Sequence, residues 1–162
     1  MTTTARTEAT IEAHPTLPII TIKRDFRATP AQLLRAHTDR DLFARWIGPS
    51  DAHVTIDYWD ARRGGAFRYL NGHDGQEYAF YGSFHEVSES RIVQTFTFEG
   101  MPDSVALETM WFEDLGDGWT RLRSQSLCDS ISERDQWLRS GMEVGVNDGY
   151  AKLDGLLADG SL

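Results

Sequence analysis

The strongest constraint on this chain lies between residues 53 and 127. There, short runs rich in Val, Ile, Phe and Tyr alternate with compact turn sequences, and no helical pattern intervenes. His53–Trp59 is followed by Arg62-Arg63-Gly64-Gly65, then 66–71, His73-Asp74-Gly75, Gln76–Val87, Ser88-Glu89-Ser90 and 91–99. Gly100-Met101-Pro102-Asp103, 104–114, Gly116-Asp117-Gly118 and Trp119–Leu127 complete the series. Turns this short join antiparallel neighbours, so the spacing predicts a meander and excludes a doubly wound parallel sheet.

Helical signals occur only on either side of the meander. Residues 19–27 read as a first strand. Thr29-Pro30 then supplies an N-cap and a proline at the first helical position, and a second short helix runs from Asp39 or Asp41 to Trp46, stopped by Gly48-Pro49. After the meander, residues 131–158 read as one long helix, capped by Asp129 or Ser130 with Glu133 as capping-box partner. Leu138, Met142, Val146, Gly149, Leu153 and Leu156 form its apolar stripe. Gly141, Gly145 and Gly149 form a second row, and each costs about 1 kcal/mol in a helix interior. Such a row calls either for close backbone approach or for space left unfilled. At ~1.5 Å per residue the helix spans ~40 Å, enough to cross a seven-stranded sheet ~30 Å wide. The expected fold is α+β: a curved antiparallel sheet of six to seven strands wrapped around a long C-terminal helix, with two short helices after the first strand. Residues 19–158 form the single domain, with a flexible tail at 1–18 and a short one at 159–162.

Composition removes several functional classes. The formal charge of −9 repels phosphate backbones and anionic lipid, so neither nucleic acid nor a membrane is an expected partner. No apolar run reaches the ~20 residues of a spanning helix, and the first 18 residues hold no signal-like apolar stretch. With Cys128 as its one cysteine, the chain has no internal disulfide and no cysteine-based zinc cluster, and a cytoplasmic location is expected. His14, His37, His53, His73 and His85 have no ligand-like spacing, so neither metal nor cofactor is expected. Aromatic residues make up 11% of the chain, a surplus that either fills a large core or lines a cavity.

An ordered set of motifs carries a resemblance to a known family. It comprises Phe43-Ala44-Arg45-Trp46-Ile47-Gly48-Pro49, Asp57, Arg63-Gly64-Gly65-Ala66-Phe67-Arg68, and Asp74-Gly75-Gln76-Glu77-Tyr78 with Gly82 and Glu86-Val87. Asp117-Gly118-Trp119-Thr120-Arg121-Leu122, Glu133-Arg134-Asp135, Ser140-Gly141-Met142-Glu143-Val144-Gly145 and Gly149-Tyr150-Ala151-Lys152-Leu153-Asp154 complete it. The chain resembles bacterial homologues of the heat-shock-protein ATPase activator, within the START-like (SRPBCC) superfamily, from about Ile19 to Ala158. It departs at Arg63, where such proteins often carry proline. The resemblance implies a helix-grip fold with a hydrophobic cavity between sheet and helix, and it supplies no catalytic set.

Strand alternation and helical spacing then nominate the cavity lining: Trp46, Arg68, Tyr78, Phe80, Phe84, Phe96, Trp111, Met142, Val146 and Tyr150. Asp57, Glu86 and Glu108 are candidate polar anchors. The competing reading for the aromatic set is a dry core, and for Asp57 and Arg68 a solvated pair. The expected function is binding of a hydrophobic or aromatic small molecule. Two alternatives stand beside it: a cyclase- or hydrolase-like enzyme using pocket carboxylates, and a chaperone-related or homodimeric interaction module presenting Trp59 or Trp119.

Overall fold

The computed structural model describes residues 7–162, and its chain reversals follow the turn chemistry closely. Asp74-Gly75 and Asp117-Gly118 are two-residue turns with both residues at positive φ (52° and 73°; 55° and 82°), the backbone that matches strand twist in a tight hairpin. The elements run β1 (Thr10–Ala13), β2 (Ile19–Phe26), α1 (Pro30–Thr38), α2 (Arg40–Trp46), β3 (His53–Trp59), β4 (Ala66–His73), β5 (Gln76–Val87) and β6 (Arg91–Phe98). They continue with β7 (Ala106–Gly116), β8 (Trp119–Leu127), α3 (Ile131–Arg139) and α4 (Met142–Ala158). One antiparallel sheet of eight strands results, in the order β1-β2-β8-β7-β6-β5-β4-β3. Register shifts at Ile56/Tyr58, Phe84/Glu86 and Asp114/Gly116 bend its strands. This is the expected α+β helix-grip architecture.

Three expectations are corrected. The eighth strand is β1, which lies within the segment read as a tail and pairs with β2, Ile11 opposite Ile22. The prolines around it disguise a four-residue strand whose turn is held from afar: Arg134 of α3 donates to the carbonyls of His14 and Leu17, each at 2.7 Å. Residues 1–6 lie outside the described residues. At the other end, Leu162 packs against the core, and its carbonyl accepts from Gln32 at 3.4 Å, so 159–162 is no free tail. Thirdly, residues 131–158 are not one helix. Gly141 sits at φ +85°, a conformation only glycine adopts at little cost, and it divides α3 from α4.

The helix caps follow the sequence. Thr29 and Gln32 form a reciprocal capping box on α1, Asp39 accepts from Asp41 and Leu42 at the start of α2, and Ser130 accepts from Glu133 on α3. Glu133 itself does not return to the Ser130 backbone, since its carboxylate accepts from Ser104 at 2.9 Å. Phe26, Leu33, Ile92, Leu122 and Leu153 are fully buried where α1 and α4 meet the sheet.

One further helical glycine, Gly149, reports close approach. A Cβ on Gly149 would lie 3.0 Å from the Trp46 carbonyl, so α4 crosses the end of α2 almost backbone to backbone. Within the sheet, Gly82 lies opposite Phe67, and a Cβ there would overlap the Thr95 carbonyl and come within 2.8 Å of the Phe67 ring. Gly82→Ala is therefore expected to lower the unfolding free energy by about 2 kcal/mol or more, read from urea denaturation. A loss below ~0.5 kcal/mol would mean that β5 and β6 separate freely at this point.

Candidate functional site

Between the inner face of the sheet, the turn after α2 and the α3–α4 junction lies a cavity of about 630 Å³. That volume is ordinary for a small-molecule site. Strand parity decides what faces it. Tyr69 and Asn71 of β4, Tyr78 and Phe80 of β5, Gln94 and Phe96 of β6, Glu108 and Met110 of β7, and Ser124 and Ser126 of β8 all point inward. Met142, Val146, Gly149 and Tyr150 of α4 close it from the other side, while Ile47, Gly48 and Pro49 form a rim.

Of the residues nominated from sequence, the structure places Trp46, Tyr78, Phe80, Phe96, Met142, Val146, Tyr150 and Glu108 on this wall. Five others lie elsewhere and are corrected. Arg68 has opposite parity to Phe67 and Tyr69, so it faces outward and pairs with Glu99 at 2.6 Å and Asp57 at 3.1 Å. Asp57 thus belongs to a solvated pair, at a bulge in β3. Trp111 has the opposite parity to Met110 and lies under the Arg123 guanidinium, 3.9 Å from the ring centroid. Glu86 follows a register shift and pairs with Arg91 at 2.7 Å, which with its hydrogen bonds holds the carboxyl below its usual range. Phe84 does face inward, but it packs against Phe67 (5.3 Å between ring centroids) and Trp59 (6.0 Å) in solid core.

Much of the wall's bulk is aromatic. Tyr69, Phe80 and Phe96 stack in succession at 5.3 Å, and Trp137 of α3 continues the row at 6.1 Å. Phe43 meets Trp59 at 4.7 Å and Trp46 at 5.5 Å, and Trp46 meets Tyr150 at 6.0 Å. Trp59 is therefore no exposed anchor: it lines the cavity, and its indole N–H donates to the Thr38 carbonyl at 2.6 Å.

A few polar groups interrupt these rings. Cross-strand pairing sets Gln94 opposite Glu108 and Glu108 opposite Ser126, so the three share one row. Gln94 Nε2 donates to Glu108 Oε1 at 3.0 Å, and Ser126 Oγ donates to Oε2 at 2.9 Å. Burial raises the Glu108 carboxyl above its ordinary value, although both hydrogen bonds act the other way. The Tyr69 and Tyr150 phenols are also raised, by burial first and by the nearby Glu108 second. Asn71 is 92% buried, and its Oδ1 has no hydrogen-bond partner among the described residues. His37 lies between Trp46 (4.9 Å) and Phe112 (5.4 Å), and its Nδ1 donates to the Leu33 carbonyl at 2.7 Å. Burial lowers its pKa to about 4, so the ring is neutral and Nε2 keeps its lone pair. The Cys128 thiol, also on the wall, is pushed up to about 11 by burial, which makes it a poor nucleophile.

Asn71, His37 and Trp137 were not read from the sequence. Asn71 follows from the parity of Phe67 and Tyr69, and His37 falls four residues after Leu33 on the buried face of α1. Trp137 carries no such signal, because the break at Gly141 resets the helical phase. At the rim, Asp51, His73 and Asp74 bring ligand-type atoms within 4.8 Å of one another. The two imidazole nitrogens of His73 already face carboxylate oxygens, at 2.7 Å from Asp51 and 3.1 Å from Asp74.

A curved antiparallel sheet closed by C-terminal helices defines the helix-grip, START-like (SRPBCC) class. The chain belongs to the family described as Activator of Hsp90 ATPase homolog 1-like protein, whose model matches residues 27–158. Among solved structures, protein Ms6760 from Mycobacterium smegmatis is similar at TM-score 0.83 and 24% identity, covering 92% of this chain and 96% of that one. A protein from Staphylococcus epidermidis solved by NMR is similar at 0.79 and 26%, covering 93% and 94%. An AHSA1 protein from Silicibacter pomeroyi is similar at 0.71 and 22%, covering 88% and 99%. Ms6760 and the Silicibacter protein support the fold alone. No curated protein matches the chain.

His37 gives the interior a measurable pH signature. Its pKa is about 4 in the fold against 6.5 when free, so between those values the unfolded chain binds a proton that the native protein does not. Its contribution to stability is complete above about pH 6.5 and is lost as pH falls towards 4. From pH 6.5 to about pH 5 the loss from this residue is about 2 kcal/mol. His37→Gln is expected to flatten urea-unfolding stability over that range relative to wild type. An equal drop in both proteins would remove His37 as its source.

Proposed function

We propose that this protein binds a hydrophobic or aromatic small molecule in the cavity between α4 and the sheet. The observation carrying the reading is an internal space of about 630 Å³ walled by stacked rings, with a handful of polar groups directed into it. A chain that needed these rings only for its own core would close the space, because empty apolar volume is destabilising. The polar groups suit the fixing of a ligand's orientation within a mainly apolar lining. Such a role fits a chain in which no described helix is long and apolar enough to cross a membrane. We place it in the cytoplasm on the strength of its single cysteine. The acid–base alternative keeps one of its three carboxylates on the wall, Glu108, and the dimer alternative loses Trp59 to the interior.

Gly145 supplies the test. It lies on the cavity wall of α4, and a Cβ there would meet only Pro49 Cδ at 3.8 Å. Gly145→Leu is expected to raise the stability of the unliganded protein by about 0.5–1 kcal/mol through helix propensity. The same substitution fills cavity space and should cut the affinity for apolar aromatic compounds at least about tenfold. Thermal-shift titrations of both proteins against an aromatic panel read the two effects together. If no compound raises the melting temperature of the wild type, or if the variant binds equally well, the ligand reading fails.

A further inference from the structure

The cavity's charge inventory is asymmetric. Among the described residues its lining includes one carboxylate, Glu108, and no lysine or arginine; its imidazoles are the neutral His37 and, at the rim, His73, whose nitrogens already face Asp51 and Asp74. Four cations of the elements around it are engaged elsewhere. Arg24 of β2 is held by both oxygens of Asp154 at 2.6 Å, Arg121 and Arg123 of β8 pair with Asp25 and Glu113, and Lys152 of α4 donates to the Ile47 and Pro49 carbonyls. Among the described residues Glu108 meets only neutral donors, Gln94 and Ser126, one on each oxygen. A carboxyl group so placed has its oxygens oriented and its charge uncompensated, which is unfavourable in a buried site. Tyr69, Phe80, Phe96 and Tyr150 share this lining, and aromatic rings attract a cation where water is excluded.

We infer that the ligand is an organic cation, an apolar or aromatic amine whose protonated nitrogen lies against Glu108 while its hydrocarbon body fills the aromatic part of the cavity. The inference rests on the reading of this cavity as a ligand site and adds the ligand's charge. Burial holds the carboxyl above its usual range in the free protein, and an ammonium partner would bring it back down. Asn71, with its unpaired Oδ1, offers a second acceptor for an N–H. An acid of the same shape would place its carboxylate in a chamber whose described lining holds no lysine or arginine, beside a carboxylate that is already there.

A charge series on one skeleton tests this: naphthylethylamine, naphthylethanol and naphthylacetate, titrated at neutral pH against the protein's tryptophan fluorescence. The amine should bind about tenfold or more tighter than the alcohol, and the acetate weakest of the three. In Glu108→Gln, which keeps an acceptor for Ser126 and a polar partner for Gln94, the amine should lose about tenfold while the alcohol stays within about threefold of wild type. Should the alcohol or the acetate match the amine in the wild-type protein, the charge assignment is overturned and the cavity reading stands. Should none of the three bind, both fall. The wild-type series decides the assignment even if the variant does not fold.

Discussion

The seating of α4 is the constraint on which the interior depends. Its C-terminal half is fixed: Leu153 and Leu156 are in the core, and Asp154 grips the buried Arg24 through two 2.6 Å contacts. Arg24 is 5% exposed, and a guanidinium so deep is tolerable because that bidentate pair and the Phe26 ring, 4.4 Å away, share its charge. Half-way along, Gly149 brings the helix backbone against the end of α2. On the N-terminal side of that contact, Met142 and Val146 of the helix face the cavity.

Within the sheet, one-residue alternation produces two electrostatic regimes on the same strands. Arg68 with Asp57 and Glu99, Arg91 with Glu86, and Arg123 with Glu113 are outward pairs, and exposed pairs of this kind contribute about 0–1 kcal/mol each. Glu108 is an acidic residue on the same β7 as Glu113, yet its side chain points inward, where water is replaced by rings. What separates a surface ornament from a chemically tuned group is therefore an odd or even count along the strand.

That count explains how much was legible beforehand. Alternation and turn chemistry gave the meander, and the 131–158 periodicity gave the helical cover, though as one unbroken helix, because both are local signals. Trp46, Tyr78, Phe80, Phe96, Met142, Val146 and Tyr150 were found because apolar residues at a fixed period must share a face. Arg68, Trp111 and Glu86 were misplaced because a face must first be labelled inner or outer, and bulges shift the label part-way along a strand. Strand β1 and the Gly141 break were hidden for another reason. The first is held by Arg134 from more than a hundred residues away, and the second depends on a positive φ that a glycine permits but does not announce.

The strand order has a consequence for how the cavity comes into being. β2 lies beside β8, with Phe26 opposite Thr120, so the first substantial strand finds its partner only after the whole meander has been made. The hairpins from β3 to β8 rest on near neighbours and close quickly, whereas the β2–β8 seam closes a loop of nearly a hundred residues and is slow by comparison. Ile20 and Ile22 come from one end of the chain, Met142 to Tyr150 from the other, and both sets wall the same space. The cavity is thus a product of chain closure. A growing chain emerging from the ribosome carries every hairpin of the meander before it owns the cavity, which forms in the same step that completes the domain.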